Sequence, residues 1–153
     1  MIMCYMNGTK LRRDFTMSPD SNEIATGVPH KLVHSMLVKM EDKLFALLEG
    51  EADIIHVAAW VHNMYVAIHP MYNQNGRYAV SLANAILTLH GYHYVLRWEG
   101  YGDAVAKDLR NFCWDTEEVP CAAMEKYIST YAFGKLCHFC DDGDTPVLTF
   151  CTD

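Results

Sequence analysis

The residues best suited to chemistry lie in one short polar stretch, HPMYNQNGR, at positions 69–77 between two strongly apolar segments. His69 has the type of side chain whose unperturbed pKa lies closest to neutrality, which suits a general base. Asn75, Gly76 and Arg77 stand where the second apolar segment begins. If that segment is a helix, its unpaired N–H groups and the positive end of its dipole attract anions. The stretch therefore predicts a base that faces a phosphate cradle.

Each residue at the predicted helix start has a separate part in that cradle. Gly76 lets a ligand approach the main chain closely, Asn75 is placed to cap the helix, and Arg77 adds a fixed positive charge with several donors. Pro70 would end or bend the preceding helix where His69 must be presented. A purely structural alternative stays open, in which His-Pro terminates one helix and Asn-Gly forms a turn before the next.

Two buried helices are predicted to hold this loop. Residues 54–68 leave almost no polar face, as is typical of a helix in the centre of a bundle. Residues 79–89 are similarly apolar, and Gly91 is well placed to end the second helix in a left-handed conformation. Apolar residues also recur at three- and four-residue steps from Val33 to Leu48, which predicts an outer helix that stops at Gly50.

The rest of the chain predicts a mainly α, single-domain protein over residues 1–153. Asn7-Gly8 favours a small β-hairpin within residues 1–27, which end in a polar loop. A helical core is expected over residues 28–138, with helical character in 101–112 and 120–136, and the remaining segment, 139–153, is interpreted as a tail.

The charge and the apolar runs of the chain argue against nucleic acid and membrane as partners. Twelve Lys and Arg against nineteen Asp and Glu give a formal charge of −7, which argues against nucleic-acid binding. No apolar run approaches the roughly 18 residues of a membrane span, and no signal peptide is seen. We therefore expect a cytoplasmic protein, or one delivered as an effector, and the oligomeric state stays open.

The sequence does not predict a metal site. Cys137 and Cys140 have the C-x-x-C spacing but supply only half of a zinc site, which Cys113, Cys121 and His138 would complete only if the fold brought them together. Histidines also recur along residues 54–69, but His62 and His69 lie about 10 Å apart along a helix axis, too far for one ion. The histidines of this segment are instead interpreted as buried, hydrogen-bonded side chains.

The loop and its flanking helices resemble the Fic/Doc family, whose active loop reads H-P-F-x-[D/E]-G-N-G-R-x-x-R. Five of the nine fixed positions are kept here, and the likeness extends over about residues 28–110. The resemblance implies a Fic-like helical bundle with an N-terminal hairpin flap on which a protein substrate docks. It also implies transfer of AMP, or another phosphate-containing group, from ATP or another nucleotide-type donor to a protein hydroxyl.

The resemblance assigns the residues of the loop as well. His69 would be the catalytic base, Asn75 and Gly76 the anion hole, and Arg77 a donor-phosphate ligand. Asn73 and Gln74 would contact the donor or a metal, but Asn73 replaces the acid that normally ligates Mg²⁺, and an amide carbonyl is a weaker ligand for that ion.

Two further departures affect the donor. Gln74 replaces a glycine, and Val80 replaces the arginine that reaches the terminal phosphate of ATP. These changes favour a donor with fewer phosphates, such as a diphosphate-linked metabolite. They also keep open an alternative from another class: a catalytically degenerate Fic-like binding or regulatory protein.

Overall fold

The computed structural model describes residues 27–92, 100–114 and 118–132. Within these ranges the elements are helical: a short 3-10 helix His30–Leu32, then α1 (Val33–Glu49), α2 (Ile54–Ile68), α3 (Asn75–Leu89), α4 (Tyr101–Leu109) and α5 (Ala122–Tyr131). The mainly α fold class is therefore confirmed, whereas the predicted N-terminal hairpin and the C-x-x-C pair lie outside the described residues.

Helix α1 forms as its apolar stripe predicts. Val33, Leu37, Met40 and Leu44 are buried at three- and four-residue steps, so one face of the helix packs inward. The helix ends before Gly50, as expected, and the N–H of Gly50 donates to the carbonyl of Ala46.

Helix α2 is the central element of the bundle. It contacts α1, α3, α4 and α5, and the middle of the helix, from Val57 to Tyr65, is buried on every side. The side chain of Asp53 caps its start by accepting a hydrogen bond from the N–H of Ile55. An apolar helix needs apolar neighbours around it, which is why this segment occupies the centre.

The polar residues on α2 are satisfied by partners on other elements. His62, which is 1% exposed, lies between the hydroxyl of Tyr101 and the side-chain oxygen of Asn63. The prediction of a buried, hydrogen-bonded histidine is confirmed for His62. It is wrong about burial for His56, at the first turn of the helix, and for His69, at its end, because both are partly exposed.

Helix α3 packs against α2. It ends near Gly91, which has a φ of 80°, so the predicted left-handed glycine is confirmed. No helix in residues 27–92, 100–114 and 118–132 is long and apolar enough to cross a membrane.

Candidate functional site

His69 ends α2 in a strained backbone conformation. It is the C-terminal cap residue of the helix, with φ 50° and ψ 57°, and its N–H still donates to the carbonyl of Tyr65 at 3.0 Å. A left-handed conformation is uncommon for a non-glycine residue, and strained residues concentrate at functional sites. The side chain is partly exposed. The imidazole is therefore positioned by the end of a rigid buried helix.

The loop after His69 is fixed by one buried amide. The side-chain oxygen of Asn75 accepts from the N–H of Met71 at 2.9 Å, and its side-chain nitrogen donates to the carbonyl of Met71 at 2.8 Å. Asn75 is 3% exposed and Met71 is 1% exposed, so both bonds are shielded from water. This pair of bonds, the Asn75 clamp, closes the loop on itself.

The clamp corrects one detail of the sequence interpretation. Asn75 was expected to cap α3, but it is the first helical residue, and its amide is used by the loop. Gln74 is the cap residue, with φ 65° and no side-chain hydrogen bond to the helix. The first turn of α3 contains no acidic residue, so the positive end of the helix dipole is not neutralised there. Its main-chain N–H groups suit an anion.

The other predicted site residues surround this helix start. Asn73, Gln74 and Arg77 are exposed, and Gly76 is partly exposed. Within the described residues, Arg77 forms no ion pair, and its carbonyl accepts from the hydroxyl of Ser81 at 3.0 Å. The predicted residues are thus located on one loop and the helix turn that follows it.

Val80 faces a different environment, one turn further along α3. It lines a small, partly open cavity of about 20 Å³, whose other walls include Leu87, Tyr127 and Ile128. Val80, which replaces the second arginine of the loop pattern, therefore has apolar surroundings as well as an apolar side chain.

A larger cleft of about 530 Å³ lies between the 3-10 helix, α1 and α2. Its walls include Trp60 and Trp114, whose buried indole nitrogens have no hydrogen-bond partner among the residues that the structure describes. The volume is within the range of small-molecule sites. None of the predicted loop residues is among the described residues that line it, so the cleft and the anion-binding turn are distinct features.

A second cluster of reactive side chains lies at the other end of α2, about 20 Å along the helix from His69. It contains His56, Cys121 and Glu125, and we call it the His-Cys-Glu cluster. Nδ1 of His56 is 2.7 Å from Oε1 of Glu125, and the thiol of Cys121 donates to the same oxygen at 3.1 Å.

Burial and the hydrogen bonds within the cluster together shift its pKa values. Burial, the hydrogen bond to Glu125 and the negative charges of Glu125, Asp108 and Glu118 raise the pKa of Cys121 to about 12. Burial opposes ionisation of Glu125, but the hydrogen bonds from His56 and Cys121 and the charge of His56 outweigh it and lower the Glu125 pKa.

Sequence reasoning missed this cluster, although one signal was present. Cys121 and Glu125 stand four residues apart at the start of a predicted helix, a spacing that puts them on one face. His56 is 65 residues before Cys121, and no local pattern links them.

Comparison with known proteins agrees with the fold and the loop. The chain matches the family model described as Fic/DOC family over residues 6–87, more than half of its length. No functionally curated protein matches its sequence.

The fold is also similar to a solved structure, that of a Fic-domain-containing signalling protein from Bacteroides thetaiotaomicron. The two share 18% identity with a TM-score of 0.64, over 80% of this chain and 50% of the other, so this chain spans about half the length of that protein. The family match, together with the helical fold around the HPMYNQNGR loop, shows that the chain belongs to the Fic/DOC family.

Proposed function

We propose that the protein transfers AMP or another phosphate-containing group from a nucleotide-type donor to a hydroxyl of a target protein. The observation that carries the proposal is the Asn75 clamp: it fixes the loop that joins His69, at the end of α2, to the unneutralised N-terminal turn of α3. A base and an anion-binding turn at the two ends of one rigid loop suit the attack of a hydroxyl on a phosphate.

His69 would take the proton of the target hydroxyl. The hydroxyl oxygen forms a bond to the donor phosphorus, and the bond from that phosphorus to the leaving phosphate oxygen breaks, so the leaving group departs with the electron pair. Main-chain N–H groups at Asn75 and Gly76, with the Arg77 guanidinium, would stabilise the charge that develops on the phosphate oxygens.

The donor would differ from standard magnesium-ATP. Stretch 69–77 contains no carboxylate, and Asn73 offers only an exposed amide, so these residues do not fit a Mg²⁺ site. The apolar surroundings of Val80 also provide no charge for a terminal phosphate. A diphosphate-linked donor, whose transferred group needs fewer compensating charges, agrees better with these residues.

The test is label transfer with a matched histidine control. The wild-type chain, His69→Ala and His34→Ala are incubated in lysate with donors labelled in the transferred phosphate; His34 is an exposed histidine on α1 and is not one of the loop residues 69–77. We expect equal labelling by wild type and His34→Ala, and a loss of about 10²-fold or more in His69→Ala, the size of a general-base contribution. Equal labelling by all three proteins, or by none, would count against transferase activity.

A catalytically degenerate binding protein is the second candidate, favoured by the same two features: an exposed amide at Asn73 and an apolar environment at Val80. It predicts that partner capture is unchanged in His69→Ala. The His69→Ala variant therefore distinguishes the two candidate functions, since only the transferase requires the imidazole.

Donor choice is tested by restoring the acid. Asn73→Asp places a carboxylate at an exposed position of the loop, so Mg²⁺-dependent ATP binding should tighten if the loop otherwise binds phosphates as proposed. Calorimetric titration with and without Mg²⁺ measures the change, and Asn73→Ala is the control for loss of the amide.

A further inference from the structure

We propose that His56, Cys121 and Glu125 form a binding site for one divalent transition-metal ion, with Zn²⁺ the best fit. The three side chains come from two helices that pack together: His56 from the first turn of α2, Cys121 from the residue that precedes α5, and Glu125 from the first turn of α5. The site is separate from the loop at His69 and does not depend on the proposed transfer reaction.

The ligand atoms already have nearly the separations that zinc requires. Nitrogen, sulfur and oxygen ligands at about 2.0–2.3 Å from a tetrahedral zinc lie about 3.3–3.6 Å from one another. In the cluster the separations are 2.7 Å for His56 Nδ1 to Glu125 Oε1, 3.1 Å for Cys121 Sγ to that oxygen and 3.8 Å for Sγ to Nδ1. Each pair therefore needs a shift of no more than about 0.6 Å to reach tetrahedral geometry.

A polar brace holds the two helices at this distance. The side-chain nitrogen of Asn63, on α2, donates to Asp108 and to the carbonyl of Pro120, both at 2.9 Å. Asp108 in turn accepts from the N–H groups of Ala123 and Met124 at the start of α5, each at 2.9 Å. The brace fixes the α5 start relative to α2, so the ligands are positioned before a metal arrives.

Exposure in the cluster suits a site with one open position. Cys121 is buried, while the side chains of His56 and Glu125 are 41% and 35% exposed. A metal held by these three side chains would have its inner side against protein and its outer side toward solvent. Three protein ligands plus water is the arrangement of open zinc sites.

The chemistry of the ligand set selects the ion. A thiolate and an imidazole favour Zn²⁺ and its neighbours in the transition series, whereas Mg²⁺ and Ca²⁺ prefer oxygen ligands throughout. Zn²⁺ binding would replace the thiol proton of Cys121, which leaves for solvent, and the imidazole would bind in its neutral form. The carboxylate of Glu125 would then bind the ion in place of its two hydrogen-bond donors.

A nucleophilic cysteine is a poorer explanation of the same side chains. A base that activates a thiol must take its proton, but the imidazole nitrogen is 3.8 Å from Sγ and is bonded to Glu125 instead. Because the thiol donates to a carboxylate, its proton is held in place, and an anionic neighbour opposes formation of a thiolate. A bound cation would instead stabilise the thiolate.

The experiment is zinc titration of the full chain after treatment with a chelator. Zinc affinity is measured by competition with a chromogenic chelator, and Co²⁺ is used separately because cobalt bound to a thiolate gives a charge-transfer absorption. We expect one zinc per chain, a rise in melting temperature with Zn²⁺ but not with Mg²⁺, and a thiolate–cobalt band. Binding of no zinc, or an equal thermal shift with Mg²⁺, would overturn the assignment.

Matched variants locate the ion. Cys121→Ser and Glu125→Gln should weaken zinc binding more than about 100-fold, a larger loss than outer-shell changes cause, while Cys113→Ser should bind as the wild type does. Glu125→Gln keeps the shape of a partly exposed side chain, so it tests the site even if Cys121→Ser does not fold. Helical circular dichroism verifies each fold.

The C-x-x-C pair supplies the decisive alternative, since Cys137 and Cys140 are also candidate zinc ligands. A double Cys137→Ser, Cys140→Ser variant should keep the zinc stoichiometry and the cobalt spectrum of the wild type. If that variant loses the metal while Cys121→Ser retains it, the proposal is wrong and the ion belongs to the C-x-x-C pair.

Discussion

Replacement of Asn75 by alanine should destabilise the protein strongly, because its side chain makes both bonds of the Asn75 clamp. The substitution removes the acceptor for the Met71 N–H and the donor to the Met71 carbonyl. Met71 is 1% exposed, so water does not easily replace either partner. A buried polar group left without a partner costs about 1–3 kcal/mol, and two such groups with partial relaxation give a loss of about 2–4 kcal/mol.

The assay is urea unfolding of Asn75→Ala, followed by far-ultraviolet circular dichroism and fitted to a two-state transition. For a chain of this size, the expected loss corresponds to a melting temperature lower by about 5–15 °C. Asn73→Ala is the matched control, since it removes the same amide from an exposed position two residues earlier in the loop. Its effect should stay within about 0.5 kcal/mol, as for ordinary surface changes.

The difference in unfolding free energy between Asn75→Ala and Asn73→Ala tests whether the Asn75 clamp fixes the loop. If Asn75→Ala loses no more stability than Asn73→Ala, the Met71 bonds are replaced by water or by a relaxed loop, and the clamp does not fix the loop. The proposed rigidity between His69 and the start of α3 would then have no physical basis.

Three further predictions concern the backbone at Gln74, the hydrogen bonds of Asp108 and the buried contact between His62 and Tyr101. Gln74→Gly should stabilise the protein by about 0.5–1 kcal/mol, because Gln74 has φ 65° and glycine avoids the left-handed penalty at a smaller entropic cost; a lower melting temperature would contradict this. Asp108→Ala should cost about 2–4 kcal/mol in urea unfolding, since it leaves Ala123 and Met124 N–H groups at the start of α5 without their acceptor. A double-mutant cycle of His62→Phe and Tyr101→Phe should give a coupling of about 0.5–3 kcal/mol, as for buried side chains in direct contact, and additive effects would show that their hydrogen bond contributes no stability.

Local patterns in the sequence were sufficient to predict the principal helices. The three- and four-residue steps of α1, the uninterrupted apolar character of α2 and the glycine after α3 each reflect backbone geometry that a short segment determines alone. The loop at residues 69–77 was recognisable for the same reason, since its residues are adjacent in the chain and its flanking helices are strongly apolar.

The direction and partners of polar side chains depended on helix packing. The amide of Asn75 turns back to Met71 instead of capping α3, because the buried loop needs partners for its main chain. Val80 faces a cavity formed with α5, which no spacing within α3 could reveal.

The His-Cys-Glu cluster shows the same limit at longer range. The spacing of Cys121 and Glu125 is local, but His56 reaches them only because α2 and α5 pack side by side and the Asn63–Asp108 hydrogen bond holds them there. Periodicity fixes which face of a helix is apolar, whereas contacts between residues far apart in the chain are fixed only when the helices pack.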